Sequence, residues 1–254
     1  MTWAYLLWWL GPIAVAIRAS FSTTDAYLPQ GFTTDWYHQV LGDPVLRTVF
    51  LRSVRLAALT VLVATPLGAA MALGLDRWRS RASRVMTGAV VLAVATPQIA
   101  IGVALFLVFA FVFPTVGLDV RAQFLAHVTL AIPFVVVVLR VRLLQIGRQY
   151  EEMAMDLGAT PAESIRRILL PLAAPALVAA GAVAFTLSFD NLVLSNAVCL
   201  RVESCGTVPM VMFEAVVRAA ATPDIYALAV MALLVSLTAF AVVLGTLRLM
   251  RLLR

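Results

Sequence analysis

The chain has 254 residues, 63% of them hydrophobic and 13% charged, with a formal net charge of +6. A soluble domain carries roughly a quarter charged residues, so this composition excludes a water-soluble globular protein and places the chain in a bilayer. At ~20 apolar residues per crossing of a ~30 Å hydrocarbon core, the length allows about six crossings and leaves no room for a separate catalytic domain.

All nineteen basic residues are arginine. Without lysine there is neither a G-x-x-x-x-G-K-[ST] phosphate loop nor a Schiff base, so nucleotide hydrolysis must come from another chain. His38 and His127 cannot form an H-E-x-x-H zinc site, and no G-x-S-x-G elbow occurs. The expectation is a transport subunit that is not an enzyme, with no cofactor or metal of its own. The positive charge requires no nucleic acid, because arginines beside anionic lipid account for it.

Apolar runs predict an all-α membrane protein with six transmembrane helices at 3–19, 56–75, 85–113, 124–143, 173–198 and 226–247. The first run lacks the basic start and small-residue cleavage site of a signal peptide, so it is kept as a helix. Between it and the second run, Trp36, Tyr37, Val40 and Leu41 share one helical face, which suits either an interfacial helix or a packed loop. The third run is long enough to tilt or to break at Thr96-Pro97-Gln98. Prolines 66, 97 and 133 fall in three successive runs, where freed backbone groups suit bending helices or static kinks.

Arginine placement predicts the orientation. Arg77, Arg79, Arg81 and Arg84, then Arg140, Arg142, Arg148, Arg166 and Arg167, then Arg248, Arg251 and Arg254 all fall on one side of a six-span chain. The positive-inside rule makes that side cytoplasmic, with both termini inside. Arg18, Arg47, Arg52 and Arg55 oppose it around the first outer loop, which also carries Asp25, Asp35 and Asp43.

The loop 144–172 is the most informative stretch. The segment 150–158 reads as a short helix with Glu151 and Glu152 in its first turn and Gly158 as its stop. Thr160, Pro161 and Glu163 then supply an N-cap, a first-turn proline and a capping-box glutamate for a second helix. Glu152 and Asp156 lie four apart, and their repulsion would be relieved by a basic or donor-rich partner. A solvated connector is the alternative.

In the fifth run, Asp190 stands roughly 12 Å below the outer end at 1.5 Å per residue. An intramembrane aspartate costs ~2.5 to 3.5 kcal/mol, so it faces a cavity or a partner. With Ser188 and Asn191 it either lines an aqueous path or satisfies a helix break; Gln98 is a weaker path candidate, explained equally by interhelical bonding. His127 reads as a packing or interfacial residue. Cys199 and Cys205, with five residues between them, leave a small disulfide or two free thiols, and an outer location favours the disulfide.

The pattern Glu152, Ala154, Gly158, then Ile168, Leu170 and Pro171 resembles the signature loop of transmembrane subunits of binding-protein-dependent ABC importers, with Met153 where an alanine is usual. Nearly the whole chain is similar to the second membrane subunit of the spermidine/putrescine permeases, through 31–37, Pro133-Phe134-Val135-Val136-Val137, Asp156-Leu157-Gly158-Ala159 and Phe185-Thr186-Leu187-Ser188-Phe189-Asp190. The cysteine-bearing loop departs from that branch, which also includes permeases for iron, opines and aminophosphonates. The resemblance implies a type I ABC importer permease (MetI-like) fold in a bacterial inner membrane. It further implies that 150–158 is a coupling helix docking on an ATPase, with Glu151, Glu152, Ala154, Asp156, Gly158, Ile168, Leu170 and Pro171 as coupling residues. The implied partners are a homologous or identical permease, two cytoplasmic ATP-binding subunits holding ATP and Mg, and an extracytoplasmic solute-binding protein. The rival reading is a gradient-driven transporter or channel with Asp190 as its ion site; an intramembrane enzyme would lack both nucleophile and base.

Overall fold

The computed structural model describes residues 2–23, 30–78, 80–218 and 222–252, and these contain helices and turns with no strand. Asp25, Arg79 and Arg254, which entered the charge count, lie outside the described residues. Helix α1 (Thr2–Ala19) leads through a turn to α2 (Asp35–Gly42) and the long α3 (Pro44–Arg77). The Asp43 carboxylate accepts from the Val45 and Leu46 amides at 2.6 and 3.2 Å, and Pro44 supplies the preset φ of a first helical position.

After α3 come α4 (Arg81–Ala95) and α5 (Gln98–Leu107), bent by 107° at Thr96–Pro97. Proline lacks the donor that would continue α4 and drives Thr96 out of the helical region, to φ −72°, ψ 131°. The run expected at 85–113 is therefore broken. Next are α6 (Val120–Ile146), α7 (Gln149–Asp156), α8 (Pro161–Ser164) and α9 (Leu170–Phe189). A wide turn at Ile165–Leu169 joins α8 to α9, immediately before Pro171, whose missing N–H disrupts the regular ladder.

The run expected at 173–198 also breaks, at Asp190, and resumes as α10 (Leu192–Val198). The cause is local: the Asn191 side-chain oxygen accepts from the Leu194 amide at 2.8 Å and starts a new helix. The chain ends with α11 (Val202–Cys205), α12 (Val208–Val217) and α13 (Pro223–Leu252). By length and apolarity, the described residues supply four crossing helices, or five if the bent pair counts as one, with a shorter apolar stretch at Leu10–Ala19.

The core forms where α3, α6 and α9 meet. Ala64 and Ala72 from α3, Ala131 and Val135 from α6, and Ala180 and Ala184 from α9 are fully buried there. Lipid tails are as apolar as leucine, so close approach of small residues replaces the hydrophobic drive of a soluble core. The stripe on α2 faces this protein: Val40 is buried, Trp36 and Tyr37 pack beside it, and only Leu41 is exposed. The Trp36 indole donates to the Ser22 carbonyl at 2.6 Å, while the Tyr37 and Ser20 hydroxyls meet at 2.8 Å. Cys199 and Cys205 are joined in a disulfide. That loop is tied to α3, since Arg52 donates to the Gly206 carbonyl at 3.2 Å and the Val208 amide donates to the Ser53 hydroxyl at 2.8 Å.

Candidate coupling elbow and helix-break site

Two places collect the residues singled out in the sequence. The first is the elbow between α7 and α8. The Ala159 amide donates to the Ala154 carbonyl at 3.0 Å and the Gly158 amide to that of Met155 at 2.9 Å, with Gly158 at φ +90°. This is a Schellman stop, which requires the left-handed conformation that glycine adopts without a Cβ penalty. The Thr160 amide then donates to the Glu163 carboxylate at 3.0 Å, and the Glu163 amide to the Thr160 hydroxyl at 3.3 Å, a complete capping box. The Thr160 amide and hydroxyl hold the Glu163 carboxyl below its ordinary value. The box therefore persists at neutral pH and weakens only as pH falls through that depressed value.

With a stop and a start separated by one residue, the turn of the chain is fixed by backbone bonds. Two faces of α7 then differ. Glu151 and Ala154 point inward; Glu152, Met153, Met155, Asp156 and Leu157 point out, with Leu157 90% exposed. Glu151, expected among the docking residues, is instead held within the chain by both terminal nitrogens of Arg77, at the end of α3. Arg148 donates to the Asp76 carbonyl and its guanidinium lies 4.0 Å from the Asp76 carboxylate. Burial pushes the Glu151 carboxyl upward, while the neighbouring Arg77 and Arg148 guanidiniums pull it back. Of the later motif residues, Leu170 and Pro171 are exposed, and Ile168 is half-buried.

The second place joins the two helix breaks. The Asn191 side-chain nitrogen Nδ2 donates to the Gln98 side-chain oxygen at 3.3 Å, so the break before α10 is bonded to the break before α5. Behind them, a Cβ on Gly102 of α5 would meet Ala197 of α10 at 3.0 Å. Asp190 is exposed at this junction, within hydrogen-bonding reach of Ser236 on α13. Ser188 is placed differently from the expected path: it is buried, donates to the Thr60 hydroxyl at 3.2 Å, and meets His127 Nδ1 at 2.8 Å. His127 Nε2 lies 3.1 Å from the Ser195 hydroxyl. This buried chain ties α3, α6, α9 and α10 together.

Sequence reasoning missed Arg77, Asp76 and Arg148 as a clamp, although an Asp-Arg pair closing a long apolar run was a visible signal. It also missed Thr60 and Ser195, two hydroxyls that apolar runs conceal.

Long apolar helices, paired polar breaks within them, and a rigid elbow outside them define a membrane transport component. Residues 64–253 match the family described as "Binding-protein-dependent transport system inner membrane component", and the chain belongs to that family. It is 32% identical over 227 residues to the spermidine/putrescine transport system permease protein PotC of Haemophilus influenzae, covering 89% of this chain and 86% of that protein. It is 34% identical over 208 residues to the putrescine transport system permease protein PotI of Escherichia coli strain K12, covering 80% and 73%. In fold it matches a bacterial ABC transporter involved in the import of the acidic polysaccharide alginate, with a TM-score of 0.77, 15% identity, and coverage of 98% of this chain and 92% of that one. The importer-permease resemblance and the all-helical fold read from the sequence are borne out.

Proposed function

We propose that this chain forms half of the translocation pathway of an ATP-driven importer for polyamines such as spermidine and putrescine. It pairs with a homologous or identical permease, docks through the outer face of α7 on an ATPase subunit carrying ATP and Mg, and receives solute from an external binding protein. Six crossings, with α1 as the first, place the arginine-rich ends and both termini in the cytoplasm. The observation that carries the reading is α7 itself: an outward face of Glu152, Met153 and Asp156, continued by Leu157 just past its end, on a helix whose inner side is clamped to α3. Exposed apolar side chains on a rigid elbow suit a protein partner, and the two acids suit a basic one.

The test is ATPase activity of the reconstituted transporter with spermidine-loaded binding protein. Glu152→Ala removes a docking charge, and Gly158→Pro is incompatible with φ +90° and deletes the amide that bonds Met155. Both are expected to abolish stimulation. Stimulation that survives both changes sinks the elbow as the coupling element; stimulation by another solute alone keeps the machine and changes the cargo.

The polyamine assignment is supported by the names of the relatives and by Asp190, an exposed carboxylate at the junction of the two breaks. Asp190→Asn is expected to lower spermidine uptake about tenfold, the equivalent of ~1.4 kcal/mol of lost attraction, with basal ATPase intact. Undiminished uptake removes Asp190 from the path.

A further inference from the structure

At the arginine-rich end, between the α3–α4 turn and α6, lies a cleft of about 440 Å³ that adjoins the elbow clamp at Asp76 but opens away from the outer face of α7 on Ser80, Arg84 and Arg140. Its walls carry the guanidiniums of Arg84 and Arg140 and the hydroxyls of Ser80, Ser83 and Thr87. Arg140 spends one nitrogen on the Thr87 hydroxyl at 2.7 Å and forms no ion pair among the described residues; neither does Arg84. The one carboxylate in the cleft, Asp76, lies 3.8 Å from Arg77 and 4.0 Å from Arg148. Two cations thus face this space without a counter-charge of their own.

The surroundings decide which anion fits. Trp78 lies at the cleft and is 75% exposed, as suits an indole at the headgroup level. Leu144 on α6 is 67% exposed, and Val141, Val85 and Met86 continue an apolar surface along α6 and α4. A free phosphate would satisfy the guanidiniums and leave this surface unused. A phospholipid uses both, placing its phosphate between Arg84 and Arg140 and its acyl chains along Val85 and Leu144.

We propose that this cleft binds the headgroup phosphate of an anionic phospholipid. The proposal does not depend on the transported solute. Its test is native mass spectrometry of the assembled transporter released from bilayers of mixed phosphatidylglycerol and phosphatidylcholine. Wild type is expected to retain phosphatidylglycerol preferentially. Attraction of ~1 kcal/mol per arginine near a membrane surface converts to about fivefold lower retention for Arg84→Gln, and about 25-fold for Arg84→Gln with Arg140→Gln. The Arg84 side chain makes no ion pair or hydrogen bond among the described residues, and its backbone bond to Ser80 is untouched by the substitution, so the single variant is expected to retain the fold. Equal retention in wild type and Arg84→Gln overturns the proposal. So does phosphate in the buffer displacing the lipid without regard to acyl chains, which would make the cleft a site for a soluble anion.

Discussion

Glu151→Ala is expected to uncouple ATP hydrolysis from transport and to destabilise the permease, although Glu151 is buried on the inner side of α7, away from its outer face. Its side chain is 6% exposed and receives two hydrogen bonds from Arg77, itself 25% exposed. Removing one member of a buried pair leaves the other charge desolvated without compensation, at a cost of ~3 to 5 kcal/mol for full burial. The partial exposure of Arg77 reduces this to roughly 2 kcal/mol. The functional loss follows from geometry, because Arg77 and Arg148 attach α7 to α3. Released from Arg77, α7 keeps its Schellman stop, its outer face and the Arg148–Asp76 contact, but loses the two-pronged bond to the end of α3 against which it would transmit force. Arg77→Met combined with Glu151→Leu removes both members of the buried pair, leaves Asp76 to Arg148, and is expected to recover much of the stability without restoring coupling. Melting of the purified permease, alongside solute moved per ATP hydrolysed, separates the two effects. Wild-type coupling in Glu151→Ala would reduce the clamp to a local ion pair.

This clamp also shows where sequence reading stops. Glu151 and Glu152 are adjacent acids in the first turn of one short helix, and nothing local distinguishes them. The distinction comes from Arg77, 74 positions earlier, which tertiary packing brings to one of the two. The elbow, by contrast, was legible residue by residue, because Gly158, Thr160, Pro161 and Glu163 act through bonds spanning only a few positions. The break at Thr96–Pro97 was legible for the same reason. The break at Asp190 was visible only as one of two explanations of an intramembrane carboxylate, since apolar residues continue to Val198 and hydropathy gives no weight to an asparagine capping its own chain. The α2 stripe was visible as a stripe, but an apolar face does not say whether lipid or protein covers it.

Helix α3 connects the two sites. Thr60 meets Ser188, two residues before the Asp190 break, while Arg77 holds the elbow. Seventeen residues of helix separate these attachments, ~25 Å at 1.5 Å per residue. Helix α3 continues unbroken through Pro66 over that length, so a displacement at the elbow is expected to be felt at the break. The requirement is that α3 remain seated against α6 and α9.

That seating makes Gly68→Leu the most damaging packing change expected in the chain. A Cβ at Gly68 would lie 2.5 Å from Val135 Cγ1, 2.7 Å from its Cβ and 3.3 Å from the Ile132 carbonyl of α6. Val135 is fully buried, so it has no free volume to enter. Ala64 and Ala72, one turn to either side and also fully buried, complete a small-residue stripe that brings α3 against α6. Overpacking costs ~1 to 3 kcal/mol for added methylenes; Gly68→Ala should fall in that range, and leucine should exceed it and prevent recovery of folded protein. Val135→Ala introduced with Gly68→Ala is expected to restore much of the loss, because the clash is with one side chain more than with backbone. Gly88→Ala in α4 is the control, since a Cβ there meets nothing within 4 Å. Thermal unfolding of these variants in detergent reads the difference directly. If Gly68→Leu melts with the wild type, α3 and α6 do not approach at this point, and the rigid connection from the elbow to the break loses its footing.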